Sequence, residues 1–455
     1  MNAAPLAMFL TTFIALIAGY PVALTLAGVA LIFALIGTIF GSFNPSDLGF
    51  VAGRLFGLVT NQTLIAIPLF VFMGVTLEKT KIAETLLSDL SSLFGRSQSG
   101  LAVTVILVGA LMAASTGIVG ATVVTMSLMA LPVMLNAGYD ARLAAGTISA
   151  TGTLGQIIPP SIALVLLGDV LSNAYQQAQL NQGIFAPKSV SVGDLFAGAI
   201  VPGLCLVVLY LLYVYTNLLF SKNKIDSEQS SDQRFSVFSL LLSLSPPLLL
   251  IFAVLGSIIL GYATPTEAAG IGAAGAILIG LVTKRLEFST IKAISESTLS
   301  TTGMVFFILI GASIFSLVFR GFGGDEQIQS VFDAMPGGVT TALIVVMVVI
   351  FLLGFILDFI EITFVVVPIV GPVLLAMGVD PIWLGVVIAI NLQTSFLTPP
   401  FGFALFYLRG VAPANVETKD IYLGALPFVG LQILILILLF IYPSIATWLP
   451  ARLYG

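Results

Sequence analysis

The sequence of 455 residues contains no histidine, one cysteine and few charged residues, which make up 8% of the chain. Without histidine, the chain lacks the side chain that most often relays protons and binds transition metals. Cys205 has no second cysteine with which to form a disulfide or a thiolate metal site. The sixteen Lys and Arg residues are outnumbered by twenty-one Asp and Glu residues and form no basic tract, which excludes nucleic acid as a partner.

Enzyme signatures are also missing. The chain has no Gly-rich loop ending in Gly-Lys-Ser/Thr to bind the phosphates of ATP, and no dinucleotide fingerprint after a predicted strand. Because histidine is absent, no nucleophile is paired with a histidine base. The sequence therefore predicts a protein that is not an enzyme, needs no cofactor and takes no energy from ATP.

The chain is instead rich in apolar sequence, with 58% hydrophobic residues. Stretches of about 20 apolar residues are long enough to cross a lipid bilayer as helices. The predicted spans lie near 4–18, 21–40, 48–78, 194–220, 236–260, 264–283, 300–320 and 419–447. Two shorter segments, 80–94 and 286–298, are expected to be helices along the membrane surface, and the alternative is ordinary connecting helices. The composition therefore indicates a multi-pass membrane protein.

A pattern of proline, glycine and aspartate occurs twice, 240 positions apart, and each copy ends in a Pro-Pro pair inside an apolar stretch. The first copy has Pro132, Gly138, Asp140 and Pro159-Pro160, and the second has Pro372, Gly378, Asp380 and Pro399-Pro400. Hydrophobic segments interrupted by Gly or Pro at matching places in two halves indicate the substrate and ion site of a secondary transporter.

The repeat divides the chain into two predicted halves. The first half, 1–220, contains a re-entrant hairpin at 99–137 and a broken helix at 141–183. The second half, 235–455, contains a re-entrant hairpin at 339–378 and a broken helix at 382–411. A polar linker at 221–234 joins the halves. The predicted fold is thus all-α, with two inverted repeats, two re-entrant hairpins and two broken helices.

The positions of the basic residues predict the orientation of the chain. With the linker 221–234 in the cytoplasm, every Lys and Arg lies on the cytoplasmic side except Arg54, Lys188, Arg320 and Arg452. Such an excess is what the positive-inside rule requires. Both termini are then expected in the periplasm.

The two predicted breaks carry oxygen-bearing side chains. A proline inside a helix removes a backbone donor and disturbs the preceding turn, so two in succession favour an unwound segment. Unwound backbone at membrane depth is tolerated where it lines a wet cavity or is buried in protein. Free carbonyl, hydroxyl and amide oxygens suit a hard cation such as sodium. The alternative is two proline kinks surrounded by polar packing groups.

The second hairpin tip contains two acids, Asp358 and Glu361, which share one helical face. Ionisable groups at membrane depth are functional by default, and Asp358 is predicted to bind sodium or to carry a proton. The alternative to a functional Asp358 is that this loop simply reaches periplasmic water. The alternative to a functional Glu361 is a structural or interfacial role. Asp169 is interpreted as an anchor at a membrane surface. Glu267 is expected to cap a helix that begins at Pro265.

Four motifs together resemble the large membrane subunit of tripartite ATP-independent periplasmic (TRAP) transporters. In chain order they are Gly19-Tyr20-Pro21-Val22-Ala23, the segment from Gly152 to Ser161, Thr264-Pro265-Thr266-Glu267-Ala268-Ala269, and Leu357-Asp358. The resemblance covers essentially the whole chain. It implies a sodium-coupled importer of organic acids in the bacterial inner membrane, which works by an elevator motion. It also implies two partners, a small four-helix membrane subunit, expected here as a separate chain, and a periplasmic substrate-binding protein.

The resemblance also implies two sodium sites and a substrate cavity. The first sodium site would contain Ser115, Thr116, Gly117, Thr151, Gly152, Thr153 and Gly155. The second would contain Asp358, Asn391, Gln393, Thr394 and Ser395. The candidate residues of the substrate cavity are Gln156, Pro159, Ser161, Glu361, Thr398, Pro399 and Gly402. The only metal ion expected is sodium. These cavity candidates include no arginine, so neutral polar groups and helix N-termini are expected to accept an anion.

Two other functions remain open from the sequence. The first is a stand-alone sodium:anion symporter of the same superfamily, which would need no binding protein. The second is a channel or a membrane scaffold. The sequence does not choose among dicarboxylates, sugar acids and aromatic acids as the substrate.

Overall fold

The computed structural model describes residues 3–82, 85–86, 99–220 and 237–454, and within these ranges the chain is helical with no strand. Six of the described helices are long and apolar enough to cross a membrane, or seven if the bent pair Phe359–Val365 and Val367–Ala376 forms one span. The all-α, multi-pass architecture expected from composition is confirmed. The predicted linker at 221–234 and most of the segment 80–94 lie outside the described residues.

The described helices of the first part of the chain follow the apolar segments closely. They are α1 (Ala4–Ile17), α2 (Val22–Ile39), α3 (Phe50–Val59), α4 (Ala66–Lys79), α5 (Gly100–Thr116), α6 (Val119–Asn136), α7 (Ala141–Thr153), α8 (Ile162–Asn181) and α9 (Val192–Phe220). Two 3₁₀ turns occur among them, Pro45–Gly49 and Leu154–Gln156.

The described helices of the second part include several short ones. They are α10 (Val237–Ile259), α11 (Pro265–Val282), α12 (Phe288–Gly321), α13 (Gly324–Asp333), α14 (Gly338–Leu353), α15 (Phe359–Val365), α16 (Val367–Ala376), α17 (Pro381–Leu397), α18 (Phe403–Val411), α19 (Thr418–Ile441) and α20 (Ser444–Tyr454).

Helical structure is interrupted at the two Pro-Pro pairs of the repeat, Pro159-Pro160 and Pro399-Pro400, and both of these peptide bonds are cis. In the first copy the helix ends in the turn Leu154–Gln156 and resumes at Ile162. In the second copy α17 ends at Leu397 and α18 begins at Phe403. Each proline lacks an N–H for the helical ladder, which favours an interruption at these positions. Two prolines in succession do not always break a helix, since Pro246-Pro247 lies inside the continuous helix α10.

The span predicted at 48–78 is instead divided into α3 and α4. Polar side chains end the first helix: the Thr60 hydroxyl donates to Phe56 O at 2.8 Å, and Asn61 Oδ1 accepts from Thr63 N at 2.9 Å. Such local bonds offer the backbone an alternative to the helix. The prediction of one long span here was wrong.

The opposite difference occurs at α12, a continuous helix of 34 residues. It contains both the predicted surface helix at 286–298 and the predicted span at 300–320. No proline lies between Phe288 and Gly321, and the interior of the helix contains two glycines, Gly303 and Gly311. Nothing in this sequence breaks the helix, so the two predicted elements form one.

The contacts within the chain define two compact units. The first unit comprises 1–65, 165–192 and 299–385. Within it α1 packs on α2, and a Cβ at Gly311 would meet the Ala23 backbone, so α2 and α12 approach closely.

The second unit comprises 66–164, 193–298 and 386–455. Within it α4 packs on α11, and α7 packs on α5, α6 and α19. Small residues bring these helices together: a Cβ at Gly146 would overlap the Gly424 carbonyl group, and a Cβ at Gly424 would overlap Arg142 O. Such contacts between small residues are typical of helix pairs in membranes.

Candidate functional site

The first hairpin turns at Gly117, which has a φ of 62° and is the C-cap of α5. Glycine takes this left-handed conformation without steric cost. The turn lies against the first broken helix, since a Cβ at Gly117 would be 3.2 Å from Ile162 N. On the other side, a Cβ at Gly74 of α4 would be 2.8 Å from Thr116 Cα.

The 3₁₀ turn before the first proline pair packs on the same hairpin. A Cβ at Gly155 would be 3.1 Å from Ala113 O, and a Cβ at Gly152 would overlap the Val123 side chain. The second unit therefore brings together the hairpin tip and the break that were predicted to form the first sodium site. Glycine at 152 and 155 allows this close approach of backbone.

The hydroxyl groups of these segments donate to carbonyl groups of their own helices. Ser115 Oγ and Thr116 Oγ1 donate to Met112 O, each at 2.9 Å, and Thr153 Oγ1 donates to Ala150 O at 2.8 Å. Thr151 Oγ1 donates to Thr147 O. Because a hydroxyl has one proton and two lone pairs, Ser115, Thr116 and Thr151 keep oxygen lone pairs that can accept a bond or bind a cation. The lone pairs of Thr153 Oγ1 accept from two glutamine side chains.

Two buried amide oxygens of the breaks lack partners among the described residues, Gln156 Oε1 and Gln393 Oε1. Gln156 is 2% exposed and Gln393 is fully buried. A buried polar atom without a partner is costly, and a bound water, ion or ligand would offset that cost. In the described residues no three His, Cys, Asp or Glu side chains cluster as in a transition-metal site. Neutral oxygens of this kind suit a monovalent cation.

The two copies of the repeat meet at Thr153 and Gln393, which are 240 positions apart. Gln393 Nε2 donates to Thr153 Oγ1 at 3.3 Å. Gln432 Nε2 also donates to Thr153 Oγ1, at 3.4 Å, and to Tyr210 Oη, at 2.7 Å. All four side chains are fully buried. Matching positions of the two broken helices are therefore in direct contact, and Gln432 and Tyr210 extend this polar cluster.

Sequence reasoning did not identify Gln432 and Tyr210 as members of the site. The available signal was a glutamine inside the apolar helix α19, where an unsatisfied amide is expensive.

Most polar side chains of the second break lie buried on α17, and Thr398 follows the end of this helix and is half-buried. Thr394 Oγ1 donates to Ile390 O and Thr398 Oγ1 donates to Thr394 O, each at 2.7 Å. Asn391 and Ser395 are buried as well. After Pro399 the chain folds back at Gly402, where a Cβ would be 2.6 Å from Phe396 O. At the first break, Ser161 Oγ donates to Gln156 O at 3.0 Å.

The second hairpin tip belongs to the first unit and is a helix cap. Asp358 is the N-cap of α15, where its Oδ1 accepts from Phe359 N at 2.7 Å. Glu361 completes a capping box, since its Oε2 accepts from Asp358 N at 3.0 Å. A capping box satisfies free N–H groups at both positions. The structural role considered for Glu361 is therefore present, and sodium binding by Asp358 stays a prediction. Glu267 forms the expected cap in the same way with Thr264.

The first unit also contains a polar cavity of about 500 Å³ that sequence reasoning missed. Its lining includes Arg54, Asp169 and Arg320. Asp169 Oδ1 accepts from Asn61 Nδ2 at 2.9 Å, so Asp169 lines a cavity instead of serving only as an anchor. The sequence did contain a signal for this cavity: Arg54, Asp169 and Arg320 are each an isolated ionisable residue within an apolar segment.

One acid beside this cavity, Asp325, lies on the short helix α13. Its Oδ2 is 3.3 Å from Arg320 Nε. Burial raises the pKa of the Asp325 carboxyl above its ordinary value, while the Arg320 charge opposes the shift. Arg320 therefore has one ionic partner at the edge of the cavity.

The all-helical fold, the apolar spans and the interrupted helices that meet at a polar cluster define a multi-pass membrane transporter. Residues 9–445 match the family model of the tripartite ATP-independent periplasmic transporter, DctM component. The chain belongs to this family, which is a family of transporter permeases and not of enzymes.

Curated relatives and a solved structure agree with this assignment. The chain is 28% identical to the C4-dicarboxylate TRAP transporter large permease protein DctM of Vibrio cholerae, over 97% of this chain and 96% of the relative. It is 27% identical to the sialic acid TRAP transporter large permease protein SiaM of the same organism, over 97% of each. The fold is similar to that of the YdaH transporter of Alcanivorax borkumensis, with a TM-score of 0.62, 15% identity and 88% of each chain covered.

Proposed function

We propose that the chain is the large permease of a sodium-coupled TRAP transporter that imports organic acids across the bacterial inner membrane. The observation that carries the proposal is the polar cluster at the two helix breaks. It combines hydroxyl oxygens whose protons are already engaged with buried amide oxygens that lack described partners. An ion bound there would satisfy those oxygens.

The proposed coupling uses two sodium sites of different chemistry. The first consists of hydroxyl and backbone oxygens at Ser115–Gly117 and Thr151–Gly155. The second uses Asn391, Gln393, Thr394 and Ser395 at the other break, and Asp358 is proposed as a carboxylate ligand for sodium. A carboxylate ligand binds a cation more strongly than neutral oxygens do, and the first site holds no formal charge.

The rest of the proposal concerns movement, partners and orientation. The two halves act as inverted repeats, and the hairpins and broken helices move together as an elevator. A small four-helix membrane subunit and a periplasmic binding protein complete the transporter, as the word tripartite in the family description suggests. The linker 221–234 lies in the cytoplasm and both termini lie in the periplasm. A carboxylate substrate is supported by relatives named for C4-dicarboxylates and sialic acid.

Sodium titration of uptake in proteoliposomes tests the proposed second site. Asp358→Asn keeps a good N-cap residue but removes the charge, and Thr394→Ala removes one hydroxyl. Both variants are expected to raise the sodium concentration for half-maximal uptake, by about tenfold for the aspartate if one pair interaction of about 1.4 kcal/mol is lost.

Thr216→Ala is the matched control for the hydroxyl. Thr216 Oγ1 also donates to the carbonyl four residues earlier, Leu212 O at 2.8 Å, but on an exposed surface of α9. It should leave the sodium dependence unchanged. If Asp358→Asn and Thr394→Ala behave like Thr216→Ala, the second sodium site is misplaced.

A further inference from the structure

We infer that Gln432 is a positioning residue that couples the two helix breaks, so that sodium bound at one break raises the affinity for sodium at the other. The coupling passes through Thr153 at the first break to Gln393 at the second. The inference rests on the proposed function, because it concerns the sodium ions of that transporter. It gives a role to a residue that belongs to neither of the two proposed sodium sites.

The Thr153 hydroxyl is saturated by the bonds that it already makes. It donates its one proton to Ala150 O at 2.8 Å. Its two lone pairs accept from Gln393 Nε2 at 3.3 Å and from Gln432 Nε2 at 3.4 Å. A hydroxyl has no further bond to offer. The Thr153 side chain therefore joins the two breaks, and only the backbone of this residue remains to serve the first sodium site.

This saturation also sets the orientation of the two glutamine amides. Because the proton of the Thr153 hydroxyl is engaged, its oxygen only accepts, and each glutamine must turn Nε2 toward it. The amide group is planar, so Gln393 Oε1 then points away from Thr153. This oxygen is buried and has no partner in the described part of the chain. Gln393 belongs to the proposed second sodium site, so a residue of the first break aims a ligand of the second.

Gln432 is itself held by a rigid partner. Its Nε2 also donates to Tyr210 Oη at 2.7 Å, which is the shortest bond of the polar cluster. The Tyr210 ring packs edge-on against Phe428, with the ring centroids 5.1 Å apart, and both side chains are fully buried. Phe428 precedes Gln432 by about one turn of α19, so Tyr210 contacts this helix at two points. Gln432 thus holds the Thr153 hydroxyl from a fixed position.

The two bonds to Thr153 are long enough to respond to small movements. Both lie near the upper limit of hydrogen-bond length, so a slight shift of the turn Leu154–Gln156 changes them. Sodium bound at the first break would hold this turn in one position, and Gln393 Oε1 would be aimed before the second ion arrives. Preorganisation of a ligand in this way raises affinity. By thermodynamic linkage the effect is reciprocal, so each ion favours the other.

Equilibrium binding of radioactive sodium tests this coupling without a known solute. A scintillation proximity assay follows sodium occupancy of the purified full chain with its small membrane subunit, and choline replaces sodium to keep the ionic strength constant. The wild type is expected to give a steeper curve than independent sites give. In Gln432→Leu the affinity for the second ion should drop about five- to tenfold, in the lower part of the usual range for coupled sites. The Hill coefficient should then fall to one or below.

The shape of the binding curve separates positioning from stability. Partial unfolding lowers the amount of sodium bound at saturation, whereas lost coupling changes the steepness and leaves that amount unchanged. Gln179→Leu is the matched control, because Gln179 is also a buried glutamine, with Nε2 donating to Lys188 O at 2.9 Å. It lies near the C-terminal end of α8, in the other unit. This variant should keep the steepness of the wild type.

Tyr210→Phe gives a second and milder test. It keeps Gln432 but removes the oxygen that anchors it, so its Hill coefficient should lie between those of the wild type and Gln432→Leu. If Gln432→Leu does not fold, Tyr210→Phe decides alone.

Two results would overturn the inference and leave the proposed function standing. The first is wild-type steepness in Gln432→Leu, or in Tyr210→Phe where Gln432→Leu does not fold. The second is a wild-type curve no steeper than that of independent sites. If the wild type shows no saturable sodium binding, the proposed function is rejected and the inference with it.

Discussion

Replacing Gly146 by alanine is expected to force α7 and α19 apart at the contact that holds the polar cluster together. The two helices run parallel along a shared seam. Arg142 Nε is 3.1 Å from Asp420 Oδ1 at one end, and Gln432 Nε2 is 3.4 Å from Thr153 Oγ1 at the other. Between these contacts, a Cβ at position 146 would overlap the Gly424 carbonyl group.

The size of the effect follows from this geometry. An added methyl group needs about 3.5 Å to its carbon neighbours, so the helices must separate by about 1 Å. Overpacking of this kind costs about 1–3 kcal/mol. The Thr153–Gln432 bond is already near the limit of hydrogen-bond length, and its loss adds about 1 kcal/mol. Alanine regains about 1 kcal/mol of helix propensity. The net destabilisation is therefore about 1–3 kcal/mol.

Gly430→Ala on the same α19 is the matched control, because a Cβ there has no atom within 4 Å. Thermal unfolding of the purified variants in detergent is the assay. Gly146→Ala should melt below the wild type, and Gly430→Ala should melt at or above it. Equal melting temperatures for the two variants would show that the Gly146–Gly424 approach does not constrain the helices.

Two further predictions concern buried and capping hydrogen bonds. Gln432→Leu removes the 2.7 Å partner of the fully buried Tyr210 hydroxyl and should cost about 1–3 kcal/mol. The double variant with Tyr210→Phe should recover part of this loss in thermal unfolding, and strictly additive effects would contradict a direct bond. Thr264→Ala removes the cap of α11, where Glu267 N donates to Thr264 Oγ1, and should cost about 1 kcal/mol. Thr283→Ala at the other end of α11 should cost less, and equal losses would contradict the capping role.

Several helix ends were predicted from short sequence patterns, because proline and capping residues act on the backbone next to them. The helix is interrupted at Pro159-Pro160 and Pro399-Pro400, although Pro246-Pro247 leaves α10 continuous. The Thr264–Glu267 capping box begins α11 where the sequence placed it. The same rules missed the break at Thr60–Ile65, where short polar side chains end a helix inside an otherwise apolar stretch. Polar residues in such a stretch are compatible with either a span or a turn, and hydropathy alone does not distinguish them.

The polar cavity depends on contacts that no local pattern contains. Arg54 and Gln177, like Gln177 and Arg320, are more than a hundred positions apart in the sequence. Nevertheless, Gln177 accepts a hydrogen bond from Arg320, and all three residues line one cavity. Each residue alone is an isolated polar group near an apolar segment. The repeat places Thr153 and Gln393 at matching positions, but the contact between them was not predicted from the sequence.

Uptake driven by sodium alone tests the central claim most directly. Proteoliposomes containing this chain and its small membrane subunit, supplied with the binding protein and a radiolabelled organic acid, are given an inward sodium gradient without ATP. The account predicts saturable accumulation that disappears when potassium replaces sodium, and that requires the binding protein. Accumulation that is equal in potassium and sodium would contradict sodium coupling, and accumulation without the binding protein would support a stand-alone symporter.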